Sequence, residues 1–541
     1  MALSLSAEQK ELLKIFKIEE QYVIPPYQRP YSWEYDHCFQ LYNDLIIAFE
    51  SKQDYFIGNI IIAKSNSNKE TLEVVDGQQR LITSVLLFKI LFLFQPEIKV
   101  LKSLLEKEDW EGNNMMSRIR SDVFEANDGH DLNQVLNYDI ENIKSRYSAV
   151  VDKNSKISER LCYSRFEANI LYFYSWVKFR HETHSDLKDF TSYILKQVYL
   201  LPIELSGQTQ DEANEKALVI FETINNRGMN LEDADIFKAK LYNKAKNIRE
   251  EKIFIDDWTD FKSGCDNLNL NIDDVFRYYS HIIRGKEGIT LSETNLREFF
   301  TREKFSPLEI KKYKEVLADL FKILEILEVF NKEKVKPTEL AKWLQIIDAY
   351  TNQYPKYAMV NYLFVNDISL NVDFISFLKS LIRYIYYLGS TSTVKFEIYN
   401  IIKQTSSGLT IGSYFREEIV PEYFNYLGRL KKGFALLAFY INHANALPTY
   451  NIDKIINLKD EKILPLDWEE LDLTTIIDSL GNQVIIDIPK KNISTSKKRE
   501  YYDLSQISEV KNIIPENGFS FEAFRIRDTE LKNRLVTFFR E

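Results

Sequence analysis

Asp76-Gly77-Gln78-Gln79-Arg80-Leu81-Ile82-Thr83 is the stretch around which the rest of the chain is organised. A β-type run, Thr71 to Val75, leads into it, and an apolar helix-like run, Val85 to Phe94, leads out. A polar loop between a strand end and a helix start is where a fold can meet an anion. The first-turn N–H groups of a helix lack partners, and the helix dipole favours negative ligands. Gly77 lets backbone approach a ligand closely. Arg80 supplies a guanidinium fork suited to phosphate oxygens, and Gln78 and Gln79 supply amide donors and acceptors. Asp76 is the one acid, placed to hold a metal ion, orient a water or tie Arg80. A plainer reading fits the same eight residues: a loop whose Asp caps the helix and whose Arg makes a surface ion pair.

Upstream, Gln21-Tyr22-Val23-Ile24-Pro25-Pro26-Tyr27-Gln28-Arg29-Pro30-Tyr31-Ser32-Trp33 begins as a brief strand. Its three prolines then hold the segment extended, so no helix starts before Ser32. Ser32 reads as the N-cap of a helix from Trp33 to about Glu50. The β-branched run Asp54 to Lys64 predicts a strand, Ser65 to Lys69 a hairpin loop, and Thr71 to Val75 the returning strand. Two rigid loops, one carrying Arg29 and one carrying Arg80, therefore adjoin neighbouring strands. The aromatics Tyr27, Tyr31 and Trp33 suit core filling; Gln28 and Arg29 between them do not. Before all this, Ser6 with Gln9 reads as a capping box for a short helix through Phe16.

From about Trp110 to Leu200 the spacing of apolar residues, such as Phe166, Ile170, Phe173 and Val177, predicts helices. His181 and His184 lack further ligands nearby and read as surface residues. A second polar junction follows. Asp211 to Ile224 predicts a helix, broken at Asn225-Asn226-Arg227-Gly228, and Asn230 caps a new one carrying Asp233, Asp235 and Lys238. Gly228 and Asn230 are ordinary helix punctuation. Arg227 beside two amides also suits a phosphate or sugar contact.

Residues 245–443 read as an aromatic-rich helical scaffold, with helices at Ser306 to Lys332, Pro337 to Thr351, Asp373 to Leu388 and Tyr414 to His443. No Gly-rich phosphate loop, triad spacing or repeat interrupts it. The tyrosines of Ile382 to Tyr387 fall at core spacing, though stacking on bases is the alternative. The C-terminal part is small and mixed. Lys497-Lys498-Arg499 reads as a solvated basic run, with a nucleic-acid backbone patch as the alternative. Asp528 to Arg540 closes the chain as a helix.

Composition bounds the partners. A chain of 541 residues with 45% hydrophobic and 28% charged residues can bury several cores, and its length suggests roughly three or four domains. A net charge of −10 confines any nucleic-acid or nucleotide contact to a local basic patch. Cys38, Cys162 and Cys265 form neither a disulfide framework nor a zinc site. The N-terminus lacks a signal-peptide progression. The longest apolar run, Leu81 to Phe94, is shorter than the ~20 residues a membrane helix needs. A soluble, cytoplasmic protein with no membrane partner is expected.

The order Ile24-Pro25-x-Tyr27-Gln28-Arg29-x-Tyr31-x-Trp33, then Tyr55-Phe56-Ile57-Gly58-Asn59-Ile60, then the Asp76 stretch resembles the GmrSD type of modification-dependent restriction protein. Phe221-x-x-Ile224-Asn225-Asn226-Arg227-Gly228-x-x-Leu231-x-x-Ala234-Asp235-x-x-Lys238 continues that pattern. The resemblance implies an α+β, predominantly helical chain in three parts. These are a ParB/sulfiredoxin-like nucleotide-binding domain with a helical insertion (1–245), a helical scaffold (246–445) and an HNH-like (ββα-metal) domain (446–541). It further implies turnover by Asp76, Gln79 and Arg80. Nucleotide would be held by Gln28, Arg29, Gly77, Gln78, Arg80 and Thr83, with Asn225, Arg227, Asp235 and Lys238 from the second junction. The ligand expected is a nucleoside triphosphate (GTP, ATP or CTP), with Mg as a possible companion and the metal ligands left open.

In the family's nuclease domain a Glu-His-Ile-x-Pro run carries the general base. Here Asn451 to Asn457 aligns best with it, which puts Lys454 where that histidine stands. Asn482, Asn492 and Lys498-Arg499-x-Tyr501 resemble the later parts. An ammonium has no lone pair with which to activate water. His443, 11 positions earlier, is the last histidine. The expectation is a degenerate nuclease domain that binds foreign or modified DNA or works with a partner protein or a second copy. The rival readings are an active DNA endonuclease and a non-enzymatic nucleotide-sensing or toxin-like regulator.

Overall fold

The computed structural model describes residues 5–16, 19–66, 70–108, 115–124, 127–153, 156–210, 212–214, 216–217, 220, 233–388, 394–411, 419–456, 476–516 and 518–541. It is an α+β, predominantly helical protein. The chain divides into two compact units, Met1–Thr259 and Asp260–Glu541.

The first unit is built on a mixed sheet. Its strands are β1 (Leu5–Ala7), β2 (Lys10–Glu11), β3 (Gln21–Ile24), β4 (Tyr55–Ser65) and β5 (Thr71–Asp76). After the small ribbon β6 (Glu106–Glu108) and β7 (Met115–Ser117) come β8 (Ile119–Ser121) and β9 (Val198–Gly207). The spatial order is β1-β9-β4-β5-β3-β8, with β2 also on β9. The predicted hairpin is present as the antiparallel pair β4–β5, and β3 lies parallel to β5. The two loops therefore leave the same end of adjacent strands.

Three local expectations yield to tertiary pairing. Residues 5–11 form no capped helix, because their backbone pairs with β9, and helix is confined to Leu12–Phe16. Strand β9 lies at the end of a region expected to be helical. Pro202 argues against a strand there. It is tolerated because the edge ladder, with Ala7 opposite Ile203 and Lys10 opposite Leu200, is interrupted beside Leu201 and Pro202. The helix after the first loop starts at Tyr35 with Glu34 as its cap rather than Ser32, for a reason given below.

Helix Gln78–Phe94 is the spine of this unit. Its residues Leu81, Ile82, Val85, Leu86, Phe88, Ile90 and Leu91 are buried on every side. Each contributes ~1.5–3 kcal/mol by leaving water. Helix Arg165–Thr183 packs along it and buries Phe166, Ile170, Phe173 and Val177, the predicted apolar face. His181 and His184 are exposed.

The second unit is a helical assembly that includes Ile272–Lys286, Tyr313–Glu333, Glu339–Asp348, Tyr354–Val365, Val372–Leu388 and Val394–Ser406. Tyr384 and Tyr386 are fully buried, which makes them core. Of the expected Tyr414 to His443 helix, residues 414–418 lie outside the described residues. Beyond them only Lys431–Tyr440 is α-helical, because Pro421 and Gly428 open short 3-10 turns before it. An antiparallel ribbon, β10 (Asn451–Lys454) with β11 (Gln483–Ile486), precedes helix Thr495–Tyr502 and the closing helix Phe521–Arg540. Among the described residues no helix is long and apolar enough to cross a membrane. Cys38, Cys162 and Cys265 are free thiols.

Candidate functional site

The polar stretch after β5 is not a loop: helix Gln78–Phe94 begins directly after Gly77. Gly77 has φ +87°, and a Cβ there would sit 2.5 Å from Ile60 Cγ2. Only glycine turns the chain so tightly from strand to helix. The helix has no side-chain cap, so its first N–H groups stay available at the positive end of the dipole.

The glutamines tie this helix start to the first loop. Gln79 Oε1 accepts from the backbone N–H of Ser32 at 2.9 Å and of Trp33 at 3.2 Å, and its Nε2 donates to Pro30 O at 3.3 Å. Residues 32 and 33 are thereby held in the loop, which is why the following helix starts two residues late. Gln78 Nε2 donates to Arg29 O at 2.9 Å, and Gln28 Nε2 donates to Val75 O at 2.9 Å. The last bond has a local cause. The β4–β5 register steps from Ile62–Val74 to Ile61–Asp76, so Val75 is the extra residue of a bulge and its carbonyl is free for Gln28.

Beneath the loops a buried layer completes the clamp. Tyr31 stacks on Phe166 at 4.7 Å, and its hydroxyl lies 2.8 Å from Thr83 Oγ1. Thr83 is wholly buried, so its hydroxyl fixes the first loop. Asn169 Nδ2 donates to Tyr31 Oη at 3.0 Å and to Trp33 O at 2.7 Å. Asp128 accepts from Tyr31 N–H at 3.2 Å and from the Ser121 hydroxyl at 3.3 Å. Burial pushes its carboxyl up to about 6. Lys238 is buried, with its ammonium 3.5 Å from Gln28 O and over the Phe124 ring.

What remains open is charge. Arg29 is exposed, and its guanidinium has no partner among the described residues. Arg80 is half-buried; its Nη1 donates to Asn59 O at 3.1 Å, and its stem passes Gly58, where a Cβ would come within 3.2 Å of Nε. Gly58 thus gives Arg80 its passage. Asp76 lies between. Burial raises its carboxyl above 3.8, while Arg80, the Gly77 N–H and Arg29 act against that rise without cancelling it. Gln78 Oε1 is buried without a partner.

The structure therefore brings Gln28, Arg29, Asp76, Gly77, Gln78, Gln79, Arg80, Thr83 and Lys238 together. Asn225 and Arg227 lie outside the described residues; Asp235 is half-buried on helix Asp233–Lys246. Sequence reasoning missed Asp128 and Asn169. Asn169 carried a signal, a polar residue among the apolar positions of a periodic helix; Asp128 carried none. Among the described residues no cluster of three or more His, Cys, Asp or Glu side chains is arranged to hold a metal ion.

The C-terminal motif residues behave differently. Lys454 pairs with Asp478 at 2.9 Å. Asn482 is wholly buried and spent on backbone, accepting from Ile456 N–H at 2.8 Å and donating to Ile456 O and Ile477 O at 3.0 Å. Asn492 is exposed. His443 stacks on Phe439 at 3.8 Å. The basic run is not a uniform solvated face: Lys498 is wholly buried, 3.1 Å from Asp453 Oδ2, which also accepts from the Tyr502 hydroxyl at 2.8 Å.

Comparison with curated proteins returns no match. The family model described as the GmrSD restriction endonuclease N-terminal domain matches residues 11–242, which contain both loops, strands β3 to β9 and the spine helix. The clamp lies within the matched residues, so the first unit is similar over residues 11–242 to the N-terminal domain of GmrSD-type restriction endonucleases.

Proposed function

We propose that the first unit binds and hydrolyses a nucleoside triphosphate at the mouth between the two loops, and that this turnover is coupled to recognition of foreign or modified DNA in a restriction-type defence protein. The observation that carries the reading is the division of labour at the clamp. Amide side chains hold the backbone, while Arg29 is exposed, Arg80 is half-buried with a single hydrogen bond to Asn59 O, and the helix start has no side-chain cap. That is a phosphate-binding chemistry. The orphaned Gln78 Oε1 and the close-packed glycines support a ligand seated against the backbone.

Arg29 and Arg80 would take phosphate oxygens, and the half-buried Asp76 would orient the attacking water. Asp76 would also suit a magnesium ion that shares its remaining positions with phosphate oxygens, as such ions use one or two carboxylates. Bound there, the ion would neutralise charge on the phosphates. Gln79 serves by position, because its amide is committed to the loop.

The strand–strand–helix order from β10 to Thr495–Tyr502 supports reading the C-terminal part as an HNH-like domain. Its Lys454 is held by Asp478, and an ammonium cannot serve as the base that the histidine supplies in the family's domain. Cutting would then require a partner protein. The test is phosphate release from each of the four ribonucleoside triphosphates, with and without DNA, by the intact chain and by a folded Arg80→Ala variant. Release lost in the variant and stimulated by DNA is the expected result. Release that survives Arg80→Ala would overturn the assignment. Stabilisation by nucleotide without release would reduce the site to a sensor.

A further inference from the structure

The second unit contains a cavity of about 260 Å³ that the nucleotide site does not use. It lies among helices Ile272–Lys286, Tyr313–Glu333 and Tyr354–Val365, all within that unit. Beside the ~150 Å³ cavity that takes up one benzene ring, it has room for a one- or two-ring molecule.

The lining says what kind of molecule. Leu327 and Phe330 give an apolar wall. Tyr278 and Tyr357 are buried side chains whose rings meet edge to face at 4.9 Å and whose hydroxyls have no partner among the described residues. Both phenols are protonated at neutral pH, and burial raises them further above their ordinary value. The carboxamides of Asn331 and Gln353 stand on the lining, also without side-chain partners among the described residues. Lys356 pairs with Asp348 at 2.6 Å, and Asp274 accepts from the Asn271 N–H at 3.2 Å in a capping box. The Asp274 carboxylate has no cationic partner among the described residues, so an anionic ligand is disfavoured there.

The geometry is fixed from behind. Tyr357 stacks on His281 at 4.1 Å, so its hydroxyl is presented by a ring that cannot easily turn. Apolar walls with a few convergent donors and acceptors are the usual make-up of a small-molecule site.

We propose that this cavity is a binding site for a heterocycle of nucleobase size without negative charge, taken free or as a nucleoside, with Tyr278 and Tyr357 as hydrogen-bonding groups and Asn331 and Gln353 reading its edge. This proposal stands on the second unit alone and is independent of the nucleotide reading of the first.

The test uses the full chain. Saturation-transfer NMR and calorimetry with adenine, guanine, cytosine, thymine, uracil and their nucleosides, and with glucose as a non-heterocyclic probe, would establish whether any base binds. Tyr278→Phe and Tyr357→Phe remove one hydroxyl each with little change of shape, so both variants are expected to fold and to bind the preferred base about fivefold more weakly or worse. Binding of at least one base, weakened in both variants and unchanged by Arg80→Ala, is the predicted result. No binding of any base at millimolar concentration, preference for glucose, or binding indifferent to both tyrosine substitutions would overturn it.

Discussion

The first-unit clamp and the Asp453–Lys498–Tyr502 cluster are both polar constructions inside apolar surroundings, and they spend their polar groups in opposite ways. In the clamp the amides and hydroxyls of Gln28, Gln78, Gln79, Thr83 and Asn169 hold the loop backbone and one another, with Gln78 Oε1 left unpaired, while Arg29 is exposed and Arg80 only half-buried. In the cluster the charged groups satisfy one another. Lys498 and Asp453 are buried together, and nothing charged is left to meet a ligand there. A polar network that leaves its charges outside is preparing a site; one that folds them in is holding a structure together.

The largest effect should come from breaking the closed cluster. Lys498→Ala leaves Asp453 charged and buried without its partner, and should destabilise the second unit by about 3–5 kcal/mol in urea unfolding. Replacing the group together, with Asp453→Leu, Lys498→Met and Tyr502→Phe, should cost far less, since isosteric apolar replacement of buried ion pairs is often neutral. A Lys498→Ala protein as stable as the parent would remove the contrast.

Next in size is Asp128, which braces the clamp. Its folded value of about 6 lies above the unfolded 3.8, so the native state keeps a proton that the unfolded chain releases. That contribution is whole below about pH 4 and is lost as pH rises through 6. The first unit should therefore lose of order 3 kcal/mol across that window, and Asp128→Asn should flatten the dependence. Thermal unfolding of both proteins from pH 4 to 8 checks this; an unchanged slope in the variant would assign it elsewhere.

Smaller still is Gln79→Ala. It strands the Ser32 and Trp33 N–H groups and should cost about 1–3 kcal/mol, with faster hydrogen exchange at those two amides. Protection equal to the parent's would mean that the loop holds itself.

Much of the first unit was legible in the sequence because local and tertiary preferences agree there. The β4–β5 hairpin, the proline-held loop and the arginine on each loop follow from β-branched runs, prolines and polar punctuation. What was hidden is non-local. Gly77 sits where the strand passes straight into helix, so the polar stretch read as a loop is the first helical turn. Strand β9 carries a proline that is harmless only because of a gap in its neighbour. Gln79 pulls Ser32 out of the cap position that its identity favours. In the second unit Lys498 was misread for the same reason. A lysine between a lysine and an arginine looks solvated until Asp453, 45 positions earlier, is brought beneath it.

The central claim is that the clamp frees its arginines for a ligand, and Arg29 tests it most directly. Its side chain is exposed and unpaired among the described residues, so Arg29→Ala should change stability by no more than ~0.5 kcal/mol. Thermal unfolding of the intact chain and of Arg29→Ala would be followed with each ribonucleoside triphosphate and magnesium. A site filled at 100 times its dissociation constant should stabilise the parent by about 2.7 kcal/mol, and the variant should lose most of that at the same concentration. Equal stabilisation of the two proteins, or none of the parent by any of the four nucleotides, would contradict the account.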